Sequence, residues 1–152
     1  MSDNRDEVFA ALNAWKNRMD KAADLATRSI STELWTQARK NAHETTNPPQ
    51  TVNGRLRHNP HIGPRDGEGP NYATGNLYRN IIADTPVRRG FGSYVASVKS
   101  GAEYARAVEL GSSRWTSGVK YPYMYPARDA LISSGKASQI VSGYLRAAMK
   151  GA

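Results

Sequence analysis

Residues 102–131 read AEYARAVELGSSRWTSGVKYPYMYPARDAL, which is the pattern of a short helix, a glycine stop, a loop and the start of a second helix. Tyr104, Ala105 and Val108 recur at helical spacing, so they share one face of the first helix. Gly111 follows at the point where a helix needs a closing residue with positive φ, which glycine adopts without steric cost. The stretch therefore predicts two helices joined by a loop.

The segment YPYMYP at residues 121–126 holds large side chains between two prolines. A proline at each end excludes an ordinary interior helix, whereas Pro126 suits the first turn of a helix that follows. We therefore predict an extended segment, with a third strand around residues 119–124, in which Tyr123 and Tyr125 point in opposite directions. The large side chains either cover the protein's own core or form a docking edge for another subunit. The candidate subunit-interface residues of this segment are Tyr121, Tyr123, Met124 and Tyr125.

Composition limits the classes of protein to which the chain belongs. Its 152 residues are enough for one domain with a real core. No targeting segment is visible at the N-terminus, and no apolar stretch approaches membrane-spanning length. The absence of cysteine excludes disulfides, thiolate metal sites and cysteine nucleophiles. A net charge of +8 favours contact with polyanions, nucleic acid first, although a solvated basic surface without a ligand remains the alternative.

One long helix is predicted at residues 5–45, where apolar residues recur at steps of three and four without a proline or glycine. A continuous helix would span about 60 Å, which exceeds the width of a domain with a radius of gyration of roughly 15 Å. Either the helix breaks in the segment 29–32, or it projects and packs against neighbouring subunits. Trp15 and Met19 lie on its apolar stripe and are candidate interface residues. The stripe comprises Val8, Leu12, Trp15, Met19, Ala22, Ala26, Ile30, Leu34, Ala38 and Ala42.

Residues 47–72 are dense in Pro, Gly and Asn and have almost no apolar content, so we predict a loop that is functional or disordered. Its arginines, Arg55, Arg57 and Arg65, favour contact with phosphates or with a partner. His58 and His61 have a spacing seen in metal sites, but the chain offers too few further ligands, and we predict no metal.

Strands and a final helix are predicted after the loop. Thr74 can cap a short helix over residues 74–81. The segments 82–89 and 94–99 read as a hairpin with a basic tip at Arg88 and Arg89, and the proline in the first segment points to an edge strand or a bulge. A helix then runs to about residue 149, with a kink expected at residues 133–135, where a glycine follows two serines.

We interpret the chain as a single domain in three segments. These are a long N-terminal helix at residues 1–46, an extended Pro/Gly-rich loop at residues 47–72, and an α+β core with the C-terminal helix at residues 73–152. The fold class is α+β, with the N-terminal and C-terminal helices packed on a small, mainly antiparallel sheet.

The sequence shows no constellation of catalytic residues. It contains no phosphate-binding glycine loop of the Walker type and no GxSxG, and its acidic residues are not paired for general acid–base work. Glu103 and Glu109 flank a helical turn and are expected to contact solvent or cap a backbone. We therefore predict a protein that is not an enzyme and uses no cofactor, although a nuclease-like site at His61, Asp66 and Glu68 is conceivable.

The order of several short motifs resembles the neck and tail-completion proteins of long-tailed bacteriophages, also described as head–tail joining proteins. The likeness covers roughly residues 72–131, and the long N-terminal helix fits it. The family usually has an aromatic residue and a threonine where this chain has Leu110 and Ser112. The motifs are Thr74-Gly75-Asn76-Leu77, the basic hairpin, Tyr104-Ala105, Val108-Glu109-Leu110-Gly111 and Pro122-Tyr123-Met124-Tyr125-Pro126-Ala127.

The resemblance implies a structural virion protein, made in the cytoplasm of a host bacterium and located at the head–tail interface. It would form a ring, expected to be a hexamer, that joins the capsid connector and head-closure proteins to the tail terminator or tail tube. Double-stranded DNA would pass through the ring. The alternatives are a tail terminator that caps the tail tube, or a stand-alone basic module that binds nucleic acid. The arginines expected to face the channel or a neighbouring ring are Arg55, Arg57, Arg65, Arg88 and Arg89.

Overall fold

The computed structural model describes residues 4–43, 50–52, 55–57, 76–113 and 120–151. The architecture is α+β, as predicted, with a long N-terminal helix, C-terminal helices and short antiparallel strands. The helices are α1 (Asn4–His43), α2 (Asn76–Arg79), α3 (Ala105–Leu110), α4 (Met124–Ser133) and α5 (Lys136–Met149). The strands are β1 (Gln50–Val52), β2 (Arg55–Arg57), β3 (Ile81–Ala83), β4 (Val87–Gly90), β5 (Ser93–Val95) and β6 (Val98–Ser100).

Helix α1 is continuous over 40 residues, so the break considered for residues 29–32 does not occur. Two hydroxyl groups of this segment have partners that leave the helical backbone bonds in place. The Oγ of Ser31 donates to the carbonyl of Arg28 at 3.0 Å, and the hydroxyl of Ser29 lies 2.8 Å from that of Tyr144 in α5. Serine side chains can compete with backbone bonds, but here the helix remains unbroken.

The central strands form one two-stranded ribbon. Strand β4 pairs with β5 around a turn at Phe91 and Gly92, and β3 pairs with β6 further from the turn. Between the two ladders the N–H of Asp84 donates to the carbonyl of Ser97 at 2.8 Å. The predicted hairpin is therefore present, and Pro86 lies between β3 and β4, because proline cannot donate a ladder hydrogen bond.

Three other local predictions need correction. The segment 47–72 is not a plain loop, since β1 and β2 form an antiparallel ladder inside it. In the sequence Asn53 and Gly54 lie between these strands, and this dipeptide favours two-residue hairpins. Residues 120–123 do not form the predicted third strand, and residues 114–119 lie outside the described residues. Where a kink was expected, the helix ends completely: α4 stops at Ser133 and α5 begins at Lys136. Gly135 lies between them with a φ of +68°.

The core consists mainly of small side chains. Among the described residues twelve hydrophobic residues are buried, and eight of them are alanines. Helix α1 packs through Ala22 and Ala26, and further along through Ala38 and Ala42, against the ribbon, α4 and α5. The larger buried side chains are Leu77, Ile81, Tyr123 and Leu131. No helix in the described part of the chain is long and apolar enough to cross a membrane.

Two polar contacts join α1 to its neighbours in the middle of this packing. Near the base of the ribbon, the indole N–H of Trp35 donates to the carbonyl of Ile81 at 2.8 Å. Six residues earlier on α1, the hydroxyls of Ser29 and Tyr144 lie 2.8 Å apart and join α1 to α5. Because buried polar groups need partners, these two bonds also specify the register of the ribbon and of α5 along α1.

Candidate subunit interface

Glu109 joins α3 to α4 through its carboxylate. Its Oε2 accepts hydrogen bonds from the backbone N–H groups of Tyr123 at 2.8 Å and Met124 at 3.0 Å, and its Oε1 accepts one from Tyr125 at 2.8 Å. These N–H groups belong to the first turn of α4, where no partner exists within the helix. Glu109 is buried, so it caps a backbone and does not contact solvent. The carboxylate also complements the positive end of the helix dipole.

The bonds to Glu109 explain the conformation of YPYMYP. Met124 and Tyr125 lie in the first turn of α4 and not on an extended segment, because the carboxylate satisfies the N–H groups that a helix start leaves free. Pro126 occupies the first turn, as predicted. Tyr123 and Tyr125 do face different surroundings, since Tyr123 is 1% exposed and Tyr125 is 47% exposed.

The candidate interface residues of this segment therefore separate into two groups. Tyr123 is buried in the chain's own core, so its side chain offers no surface to another subunit and its interface assignment is wrong. Burial raises the pKa of the Tyr123 hydroxyl above its ordinary value. Tyr121 and Met124 are half-buried, and Met124 packs against the same core. Tyr125 is the exposed member, with the guanidinium of Arg128 lying 4.9 Å from its ring centre.

The first fifteen residues of α1, Asn4–Arg18, lead away from the packed part of the helix and touch the turn of the ribbon through Lys16, and we call them the N-terminal arm. Every residue of the arm is exposed, although its apolar side chains continue the stripe that packs at Ala22 and Ala26. Trp15 lies on the arm, as expected of an interface residue, whereas Met19 is half-buried at its base. The large exposed apolar residues of the arm are Val8, Phe9, Leu12 and Trp15. Sequence reasoning omitted Phe9, because it lies beside the stripe and not on it.

The tip of the ribbon is fastened to α1 at Asp20. This carboxylate accepts a hydrogen bond from the N–H of Gly92 at 2.8 Å and one from the hydroxyl of Tyr94 at 2.9 Å. The Nε of Arg88 lies 3.0 Å from its Oδ2 in an ion pair. The Gly92 N–H, with the Tyr94 hydroxyl and Arg88, holds the pKa of Asp20 below its usual range. Partial burial and the Asp20 charge raise the pKa of Tyr94.

Arg88 and Arg89 therefore differ in their surroundings, although sequence analysis treated them as a pair. Arg88 forms an ion pair within its own chain while its side chain remains 56% exposed, so its assignment to a channel or to a neighbouring ring stays a prediction. Arg89 is exposed on the same strand, where the register shifts between Arg88 and Gly90. Arg55 and Arg57 lie on β2. Arg65 and His58 lie outside the described residues, as do the residues of the conceived nuclease-like site, His61, Asp66 and Glu68.

The face of the ribbon that points away from α1 carries a second set of apolar side chains, and we call it the outer ribbon face. Val87 and Val95 are paired across β4 and β5 and are both more than half exposed. Because side chains alternate along a strand, this pair points away from the face on which Arg88 and Tyr94 reach Asp20. Val95 also borders the groove between the ribbon and α1, beside Thr27 and Ile30. Ile82 continues the same face on β3, next to Ile81, which is buried. Sequence reasoning did not identify this face.

Two features of the described residues bear on the question of a catalytic site. No group of three or more His, Asp or Glu side chains in this part of the chain is placed to hold a metal ion. The groove beside the α4 cap has a volume of about 450 Å³ and is lined by Glu109, Leu110 and Tyr125 among others. Because the Glu109 carboxylate is already bound to three backbone N–H groups, it lacks the freedom of a catalytic acid or base.

Comparisons of the chain with protein-family models, with curated proteins and with solved structures found no match in any of the three.

Proposed function

We propose that the chain is a structural subunit of a bacteriophage neck. In this proposal it assembles with further copies into a ring, expected to be a hexamer, between the capsid connector and the tail, and surrounds the channel through which DNA passes. It is not an enzyme. The motifs that resemble the neck and tail-completion family are the origin of the proposal.

The observation that carries the proposal is the distribution of large apolar side chains. Fourteen large hydrophobic residues of the described structure are exposed, whereas the buried core is mostly alanine. Soluble monomers rarely expose contiguous apolar patches of several hundred Å² unless a partner covers them. A chain with this distribution is suited to an assembly in which neighbouring copies supply the missing core.

Two further features support the proposal. Glu109, from the Val108–Gly111 motif, holds the start of α4 in the Pro122–Ala127 motif, so the two motifs of the resemblance form one structural unit. The arm of α1 carries its apolar stripe about 22 Å beyond the packed part of the chain. An enzyme or a monomeric binding module has no use for such a projection, whereas a ring subunit does.

The proposal is tested first on the purified protein. Negative-stain microscopy and mass photometry should show closed rings with a central hole, and the protein should bind DNA weakly. A monomer at concentrations of tens of micromolar, with tight and salt-sensitive DNA binding, would instead identify a stand-alone nucleic-acid-binding module.

A second test uses the genome that encodes the chain. Deleting the gene should produce lysates with DNA-filled heads and separate tails, and expression of the protein from a plasmid should restore joined particles. Tails of irregular length would point to the tail terminator. Infectious particles of normal morphology without the protein would contradict a role in the neck.

A further inference from the structure

We propose that the N-terminal arm of one copy docks on the outer ribbon face of the next copy. The docking rests on the proposed ring assembly and names the two surfaces that meet in it. The arm supplies Val8, Phe9, Leu12 and Trp15, and the outer ribbon face supplies Ile82, Val87 and Val95.

The chain cannot cover its own outer ribbon face with its own arm. Helix α1 lies on the inner face of the ribbon, with Trp35 bound near the base and Asp20 bound at the tip. Further along α1, the ammonium of Lys16 lies 5.5 Å from the ring centre of Phe91 in the turn. The arm continues past this turn as part of one unbroken helix. Turning back onto the opposite face would require a break, and α1 has none.

The two surfaces match in type. A two-stranded ribbon with one face on a helix normally presents polar side chains on the other face. Here the second face presents three β-branched apolar side chains, which pack well under a helix. Docking of an arm would give the ribbon a helix on each side, α1 of its own chain inside and the arm of its neighbour outside.

The two surfaces also match in length. The arm is about 22 Å long at 1.5 Å per residue. The outer ribbon face from Ile82 to Arg89 spans roughly 20 Å at 3.3 Å per residue. The apolar side chains of the arm, from Val8 to Trp15, occupy about 10 Å of that length. Those of the outer ribbon face, from Ile82 to Val87, occupy about 17 Å, so the apolar part of the arm fits within that of the ribbon.

The area involved is that of a stable interface. The seven apolar side chains are each about half exposed and together offer on the order of 700 Å², given that a whole aromatic side chain buries 150–250 Å². Slightly more than half of a typical interface is apolar. The complete contact would therefore bury on the order of 1,200 Å², the lower bound of stable protein interfaces.

Charge favours one direction of docking. The first turn of α1 is acidic, with Asp6 and Glu7, whereas the tip of the ribbon carries the exposed Arg89. An arm that lies with its N-terminus at the tip brings Asp6 near Arg89. The contact joins two different surfaces, so it is heterologous and closes into a ring when the rotation between copies divides a full turn.

Cysteine cross-linking tests the contact directly, because the chain has no cysteine of its own. Leu12→Cys and Val95→Cys are prepared as separate proteins, mixed and mildly oxidised. We expect the mixed disulfide dimer to form faster than either symmetric dimer. A protein that carries both substitutions should give a ladder of covalent multimers. Leu12→Cys mixed with Ile132→Cys is the matched control, since Ile132 is exposed on α4, away from the ribbon.

Three outcomes would overturn the docking. Faster symmetric cross-linking of Leu12→Cys would indicate that arms pair with arms. Equal rates with Val95→Cys and with the Ile132→Cys control would indicate non-specific collision. Absence of cross-links between Leu12→Cys and Val95→Cys, when the wild-type protein forms rings, would leave the ring assembly intact and remove the docking alone, whereas absence of any oligomer of the wild type would remove both.

A charge exchange checks the direction of docking. Asp6→Arg and Arg89→Glu should each raise the concentration for half-assembly, by roughly threefold for a pair at the rim of an interface. The double variant should return it to within about twofold of the wild type. Additive weakening in the double variant would contradict an arm that lies with its N-terminus at the tip of the ribbon.

Discussion

The Oε2 of Glu109 accepts a hydrogen bond from the N–H of Tyr123 at 2.8 Å, and this bond connects two motifs that lie fourteen residues apart. The carboxylate is buried and negatively charged, and it faces the first turn of α4. Its loss would leave three N–H groups without a partner in a place that water reaches poorly.

Glu109→Ala should therefore destabilise the protein by roughly 3 kcal/mol, the cost of losing charge-assisted hydrogen bonds to a buried helix start. Urea denaturation followed by circular dichroism measures the change. Glu103→Ala is the matched control. Glu103 lies just before α3, the helix that carries Glu109, but it is exposed, so its replacement should change the free energy of unfolding by less than about 0.5 kcal/mol. Equal effects of the two substitutions would show that the cap contributes nothing.

The two tyrosines of YPYMYP should respond differently to truncation. Tyr123→Ala removes an almost fully buried ring and should cost roughly 3–5 kcal/mol. Tyr125→Ala removes a half-exposed ring and should change the stability of the monomer little. Thermal denaturation at low protein concentration compares the two. A loss of several kcal/mol on Tyr125→Ala would contradict the exposure of this side chain.

The contrast between these tyrosines shows how far sequence reasoning reaches. Alternation along an extended segment predicted that the two side chains point in opposite directions. They do differ in exposure, but the extended segment on which the prediction rested is absent. The sequence could not show that α4 begins at Met124, because the carboxylate that caps this start belongs to Glu109 in α3. Sequence patterns do not show how the loop between the two helices brings them together. The interface assignment of Tyr123 failed for the same reason.

The long helix was easier to predict, since its spacing is local and no proline or glycine interrupts residues 5–45. The projection of its N-terminal arm was one of the two outcomes that the length of the helix predicted. The outer ribbon face was not predictable in the same way. Whether Val87 and Val95 face α1 or solvent depends on strand register, and a shift of one residue would exchange the two faces.

The fastening of the ribbon at Asp20 should make stability depend on pH in the acid range. The pKa of Asp20 is lowered from its ordinary 3.8, chiefly by the N–H of Gly92. A group whose pKa is lower in the folded state stabilises the fold above the unfolded pKa, and this contribution is lost as the pH falls through the folded pKa. Asp84, beside Ser97 and Lys99, has a lowered pKa and acts in the same direction.

We expect the melting temperature to fall as the pH is lowered below about 4. Asp20→Asn abolishes the titration while keeping an amide oxygen for the Gly92 N–H, so the variant should show a shallower decline. The double variant with Asp84→Asn should be shallower still. An acid decline of Asp20→Asn as steep as that of the wild type would contradict a role for this carboxylate.

Arg88 and Arg89 give the sharpest comparison of neighbouring residues in the chain. Both side chains are exposed, but Arg88 forms an ion pair with Asp20 on the side of the ribbon that faces α1. Arg88→Ala should therefore loosen the tip of the ribbon, and hydrogen exchange at the amides of Gly92 and Tyr94 should accelerate. Arg89→Ala should leave those amides protected. If instead Arg89→Ala accelerates the exchange and Arg88→Ala does not, the side chains face the opposite way.

Reversal of both arginines together would mix a folding defect with a change of surface charge, so only Arg89→Glu tests contact with DNA or with a neighbouring ring.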